Sequence, residues 1–345
     1  ALGWYQQAET RARAQQDFKA VGQALRGQAR VYLDTVNPSK AEELLQAALA
    51  LSDGQESREG RARLLELLAE NLLNRGQIDG ARGYQDQART LREEGPSPAE
   101  LSVRLLIRSG RLVEARTILE TRVAAEETQP VQRPRAHRET LLLLSLIMSF
   151  QGEQEAARQT AEEGTQRGRE LASPFITAVG FMRQGHAWLL NKNLIGYEKA
   201  IACFQEAIAM SEALMVPRLK VEACWGLAQA HGFRGELDQA VHFAEQGLAI
   251  ARDAGDEWIE GMVRTVVGAA HILAGKVSSA QVWLDQAATI FAEVRDTFGQ
   301  SVVWLWRCLG WHQADAGAEV ADGMIQLLSL VRRHEYTFLL TAPTL

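Results

Sequence analysis

Seven alanines divide the chain at nearly equal intervals: Ala41, Ala81, Ala115, Ala157, Ala200, Ala240 and Ala280. Their spacings are 40, 34, 42, 43, 40 and 40 residues, and one further step of 40 reaches Val320. A fixed period of this length requires one supersecondary unit repeated in series, because no single unit can bury its own apolar face. Five residues before the anchor stand Gly76, Gly110, Gly152, Gly235 and Gly275. Seven after it stand Ala48, Ala88, Gly164, Ala207, Gly247 and Ala287, and twelve before it Ala29, Ala69, Ser145, Ala228 and Gly268. In the fifth unit Gly185 takes that last place if the turn before Ala200 is three residues longer.

The slots have physical meanings. Glycine just past a helix supplies the left-handed residue that ends it. Small residues on facing surfaces let two antiparallel helices approach closely. Between these positions apolar residues recur at helical spacing, as in Leu237, Ala240, Val241, Ala244, Leu248 and Ala251. No segment keeps a period-two alternation. The expected unit is a helical hairpin, with eight of them at 17–56, 57–95, 96–128, 134–172, 173–216, 217–255, 256–295 and 296–337. Two proline-bearing stretches, Glu93–Glu100 and Thr128–His137, are expected to be ordered turns.

The spacing of small, Gly and Ala slots resembles the tetratricopeptide repeat (TPR). Aromatic slots are partly filled, with Tyr32, His231, His271 and Trp311 nine before the anchor, Trp188 in the same slot once the fifth unit's three extra turn residues are allowed for, and Phe204 four after the anchor. The family repeats at about 34 residues. The longer period here is similar to the sensor arrays of MalT-like bacterial transcriptional regulators of the STAND class, signal-transduction ATPases with numerous domains. This resemblance implies an all-α, right-handed superhelix of antiparallel hairpins, arranged as a partial repeat at 1–16, an array at 17–337 and an extension at 338–345 leading to a further domain. It also implies a cytoplasmic, non-catalytic sensor or interaction segment of a larger regulator. The partners expected are a protein or peptide, or a small-molecule inducer, on the concave face, together with ATPase and effector domains elsewhere in the same protein. A constitutive scaffold, or an array that stacks end to end with itself, is the alternative.

The remaining features fit a binding role. The net charge is −6, which argues against direct nucleic-acid contact. There is no GxxxxGK[ST] phosphate loop, no HExxH, no zinc spacing and no GxSxG elbow, so neither enzyme activity nor a cofactor is expected in this segment. Cys203, Cys224 and Cys308 are isolated in apolar runs and read as buried thiols. No apolar run is long enough to span a membrane. Slots 18, 15, 11, 8 and 7 residues before each anchor, which face ligands in the resembled family, give a polar lining in the first two units: Gln23, Arg26, Arg30, Asp34, Arg63, Glu66, Glu70 and Asn74. In later units the same slots turn apolar. The candidate binding residues there are Met182, His186, Trp225, Gln229, Phe233, Met262 and Thr265, with Trp225 the preferred anchor. These slots read either as an open trough or as packed core. Ala81, Ala115, Ala157, Ala200, Ala240 and Ala280, with the five turn glycines, are the positions expected to hold the repeat together.

Overall fold

The computed structural model describes residues 1–34, 37–51, 57–92, 99–128, 134–336 and 338–341. Both proline-bearing stretches lie mainly outside these residues, at 93–98 and 129–133. Among the described residues every regular element is a helix. The chain separates into two compact units, Ala1–Leu105 with Asp253–Asp256, and Leu106–Arg252 with Glu257–Leu345.

In the first unit α1 (Leu2–Ala14) precedes two hairpins, α2 (Phe18–Asp34) with α3 (Pro38–Leu51) and α4 (Arg58–Asn74) with α5 (Ile78–Leu91). Most of α6 (Ala99–Arg108) belongs here as well. Its core is built from Val21, Leu25, Ala29, Leu45, Ala48, Leu64, Leu65 and Leu68, all buried.

The second unit continues from the end of α6 into α7 (Leu112–Thr128), then α8 (Pro134–Phe150) with α9 (Gln154–Glu170) and α10 (Pro174–Leu189) with α11 (Leu194–Leu214). It goes on through α12 (Pro217–Phe233) with α13 (Leu237–Ala254) and α14 (Glu257–Leu273) with α15 (Val277–Glu293). The last pair is α16 (Thr297–Gln313) with α17 (Gly317–His334), before the short α18 (Phe338–Thr341).

The seven anchor alanines are each no more than 1% exposed, where first and second helices meet. Ser145, in a slot held elsewhere by Ala or Gly, donates from its hydroxyl to the carbonyl of anchor Ala157 at 2.8 Å, so its polar atom is satisfied inside the hairpin. The turns repeat one geometry. Gly76, Gly110, Gly152, Gly235 and Gly275 have φ between 70° and 80°. In each turn the next residue's N–H closes onto the carbonyl five residues back, as from Gln77 to Leu72 at 2.9 Å and from Glu236 to His231 at 2.9 Å. This is the Schellman closure that satisfies the last carbonyls of a helix.

Four of the second helices, α9, α11, α15 and α17, end the same way without glycine, whereas α13 ends at Gly255 with φ of 64°. Ala172, Met215, Arg295 and Glu335 take φ of 49° to 61°, with closures such as Val216 N–H to Ser211 at 3.0 Å. A left-handed L-residue costs about 1–2 kcal/mol, and glycine avoids most of it. Met215 is 78% exposed, so its side chain packs on little. Met215→Gly is therefore expected to stabilise the protein by about 0.5–1 kcal/mol in urea unfolding; a loss of stability would contradict that reading of the turn.

Aromatic side chains lock successive hairpins. Phe204 on α11 is fully buried between α10 and α12. A Cβ at Gly185 would lie 2.6 Å from its ring, and one at Gly226 2.3 Å. Phe291 on α15 sits in the same way between Gly261 and Gly299, where added Cβ atoms would approach to 2.7 and 2.4 Å. The ring of the second helix thus occupies space that glycine frees on both flanking first helices.

Candidate functional site

The inner slots, carried by the first helix of each hairpin, fall into two chemically distinct sets. In the first unit they form a charge ladder. Arg30 on α2 pairs with Glu70 on α4 at 2.7 Å, and Glu70 also meets Arg104 on α6 at 3.4 Å. Arg104 donates to Asn74 Oδ1 at 2.8 Å. Glu66 accepts from Nε and Nη2 along one edge of the Arg92 guanidinium, with contacts of 2.7 and 2.9 Å, while Nη1 turns to Glu59 at 3.3 Å. Burial nevertheless pushes the Glu66 carboxyl above its usual range, with Arg92 opposing the shift. These side chains answer one another across neighbouring hairpins. The ladder does not present the unopposed basic surface that would capture a carboxylate.

In the second unit the deeper slots are packed core. Met182, His186, Trp225, Met262 and Thr265 are all buried, as is Gln229. His186 meets Phe204 edge-on at 5.1 Å and lies 5.3 Å from Trp225, which meets Trp258 edge-on at 6.3 Å. Arg108 stacks over the far face of this row, 4.1 Å from the Trp258 ring centre. Burial, with Arg183 adding to it, lowers the His186 pKa to about 3, so the imidazole is neutral at ordinary pH. The reading of these slots as an open trough therefore gives way to packing. Aromatic rings from consecutive first helices fill the space that the slots would otherwise line.

A surface cleft remains at the other end of the same slots. Gln229, Gly232 and Phe233 of α12, Val266, Ala269, Ala270 and Leu273 of α14, and Trp306 of α16 line a shallow recess that opens to solvent. Phe233 is half-buried, and Leu273 is 48% exposed. Leu309, one turn beyond Trp306, is also exposed. Of the candidate binding residues, Gln229 and Phe233 are on this cleft. Val266 and Trp306 were not singled out from the sequence, although both stand fourteen residues before an anchor position. The cleft is apolar apart from Gln229. With enclosed room of only about 10 Å³ it is far below the roughly 300–1,000 Å³ of a typical small-molecule pocket, so a partner would lie across it rather than enter it.

No catalytic constellation accompanies it. Among the described residues no three His, Cys, Asp or Glu side chains gather to hold a metal ion. Burial raises the thiol pKa of Cys203 and Cys224 to about 11, and raises that of Cys308 as well, so none is a ready nucleophile.

One buried carboxylate stands out. Asp296 caps α16, its Oδ1 accepting from Phe298 N–H at 3.0 Å. Its pKa is raised to about 6, chiefly by burial; the Phe298 and Gly299 amides, the Trp258 indole and Arg108 oppose the shift. The Tyr336 phenol is the remaining titratable neighbour, itself raised to about 12 by burial. An acid whose pKa is higher folded than unfolded binds protons more readily in the folded state. Its contribution to stability therefore falls as pH rises from about 4 through 6. Relative to Asp296→Asn, the wild type is expected to lose about 2–3 kcal/mol across that window. Parallel urea stabilities of the two proteins from pH 4 to pH 7 would contradict this.

Together, hairpin register, Schellman turns and anchor alanines define an all-α helical-repeat protein of the tetratricopeptide type. Known proteins bear the class out. The chain superposes on a Rap protein solved in complex with Competence and Sporulation Factor, with TM-score 0.70, 13% identity and 97% of each chain covered. A STAND protein with a tetratricopeptide repeat sensor from Pyrococcus horikoshii matches at TM-score 0.50 and 12% identity, over 96% of this chain and 52% of that one. In sequence, 97 residues are 32% identical to Regulatory protein AfsR of Streptomyces griseus, covering 26% of this chain. That match spans 10% of the relative's length. No family model matches the chain.

Proposed function

We propose that this chain is the binding and sensing segment of a larger, STAND-type regulator, and that it acts by holding a protein or peptide segment rather than by catalysis. The observation that carries the reading is the α12–α14–α16 cleft, an apolar recess with one amide at its wall and exposed Leu273 beside it. Its apolar lining, flanked by exposed Leu273 and Leu309, suits contact with the apolar face of an extended or helical segment and is too shallow to enclose a small molecule. A protein or peptide is favoured over a free metabolite on that ground. Two similarities support the reading. A Rap protein of the same fold is known in complex with a factor, and the AfsR segment belongs to a much longer regulatory protein. The reading needs no cofactor, and the ATPase and effector functions would lie in other domains. No helix among the described residues is long and apolar enough to cross a membrane, and the proposed setting is the cytoplasm.

Control by such a segment requires the partner to bind the resting and active states with different affinity. A display library of random peptides selected on the chain provides a probe, and calorimetry then measures the best peptide. Leu273→Asp places a charge at the cleft and is expected to weaken binding at least tenfold. Val282→Asp, an equally exposed change on α15, is expected to leave it unchanged. Equal affinities for both variants would remove the cleft from the binding surface.

A further inference from the structure

In a helical-repeat array each unit normally touches only its sequence neighbours. The second unit breaks that rule. The residues entering the α6–α7 turn pack against Trp258 of α14 and against Tyr336, two residues past the end of α17, which in turn packs on the start of α16. Gly110, in that turn, has φ of 70°, and a Cβ there would lie 2.4 Å from Tyr336 Cε1. The equivalent turn glycines Gly235 and Gly275 have nothing within 4 Å of the same point. Two residues earlier, Arg108 lies over Trp258 at 4.1 Å. Tyr336 is 2% exposed, meets Phe298 edge-on at 5.7 Å and shares a hydrogen bond of 2.8 Å with the Thr297 hydroxyl.

The polar groups under this contact are poorly satisfied. Asp296 is 3% exposed, and its Oδ2 completes no hydrogen bond. The Trp258 indole N–H faces this carboxylate and favours its charged form, but closes no well-formed hydrogen bond on it. Burying a carboxylate and an indole N–H in this way is costly, and water would satisfy both on opening. The apolar and cation–π contacts of Tyr336 and Arg108 hold the cluster shut against that cost.

We propose that Arg108, Gly110, Trp258, Asp296 and Tyr336 form a releasable latch that closes the second unit on itself, and that its opening uncovers the Trp258 end of the buried aromatic row. The hairpins keep their own Schellman turns and anchor packing on either side of the latch. Release therefore moves the α6–α7 turn without unfolding the helices it joins. The latch stands on these contacts and is independent of whether the α12–α14–α16 cleft binds a segment.

The test uses the full chain carrying Arg108→Ala with Tyr336→Ala, and separately Tyr336→Phe, which keeps the ring on Gly110. Helix content is read by circular dichroism, and local protection by hydrogen exchange with mass spectrometry. In the double variant, residues 106–112 and the start of α14 are expected to exchange at least tenfold faster. Helix content and the protection of α10–α13 are expected to be unchanged, and Tyr336→Phe to exchange as wild type does. Unaltered exchange at 106–112 in the double variant would overturn the latch, because the contact would then hold nothing. Loss of protection throughout the second unit would also overturn it, because the cluster would then be ordinary core.

Discussion

Phe204→Ala is expected to destabilise the protein by about 3–5 kcal/mol in urea unfolding, among the largest effects of any single substitution. The ring is fully buried and joins α10, α11 and α12, so its loss opens a cavity shared by two hairpins. The glycines beside it make the account sharper. Gly226→Ala places a Cβ 2.3 Å from the ring and is expected to cost about 1–3 kcal/mol through overpacking. The double variant is expected to be more stable than the sum of the two losses, because removing the ring removes the clash. Strict additivity would mean that Gly226 is glycine for some reason other than Phe204.

The second large effect concerns Trp225. It is 4% exposed, packed between His186 and Trp258. Trp225→Ala is expected to cost about 3–5 kcal/mol, accompanied by loss of cooperative unfolding in the second unit. Its indole Nε1 has no hydrogen-bond partner, so Trp225→Phe gives up area but also relieves a buried orphan donor. The Phe variant is expected to stay within about 1 kcal/mol of wild type. An alanine variant as stable as wild type would show that the inner slots stand open in solution, with Trp225 a surface anchor. Chemical denaturation of the three proteins separates these cases.

The repeat was readable from the chain because every unit states the same constraint again. A glycine at five of the hairpin turns and an alanine at seven of the helix crossings are chemically explicit, and the positive φ at Gly76, Gly110, Gly152, Gly235 and Gly275 is the direct expression of the first. The ends of α9, α11 and α15 were not readable. Ala172, Met215 and Arg295 adopt the same left-handed closure, but nothing in those residue types announces it. In-helix glycines such as Gly226 and Gly261 gave no signal either, since their purpose is to admit a ring from another helix.

The site was legible only as a set of slots. Whether Trp225 or Met262 faces solvent depends on the small rotation between successive hairpins, which no single unit specifies. Packing buried the deep slots and left Gln229, Phe233 and Leu273 on the cleft. Trp306 joins them from α16 because the next first helix lies alongside α14. The pairing of Arg108 with Trp258 joins residues 150 positions apart, beyond the reach of any local pattern.

The central claim is that the cleft of α12, α14 and α16 is where a partner segment is held. Hydrogen exchange of the chain with and without a saturating selected peptide tests it most directly. The account predicts added protection in residues 229–233, 266–273 and 306–309, with α13 and α15 unchanged. Protection confined to the second helices, or to the charge ladder of Arg30, Glu70 and Arg104, would contradict it.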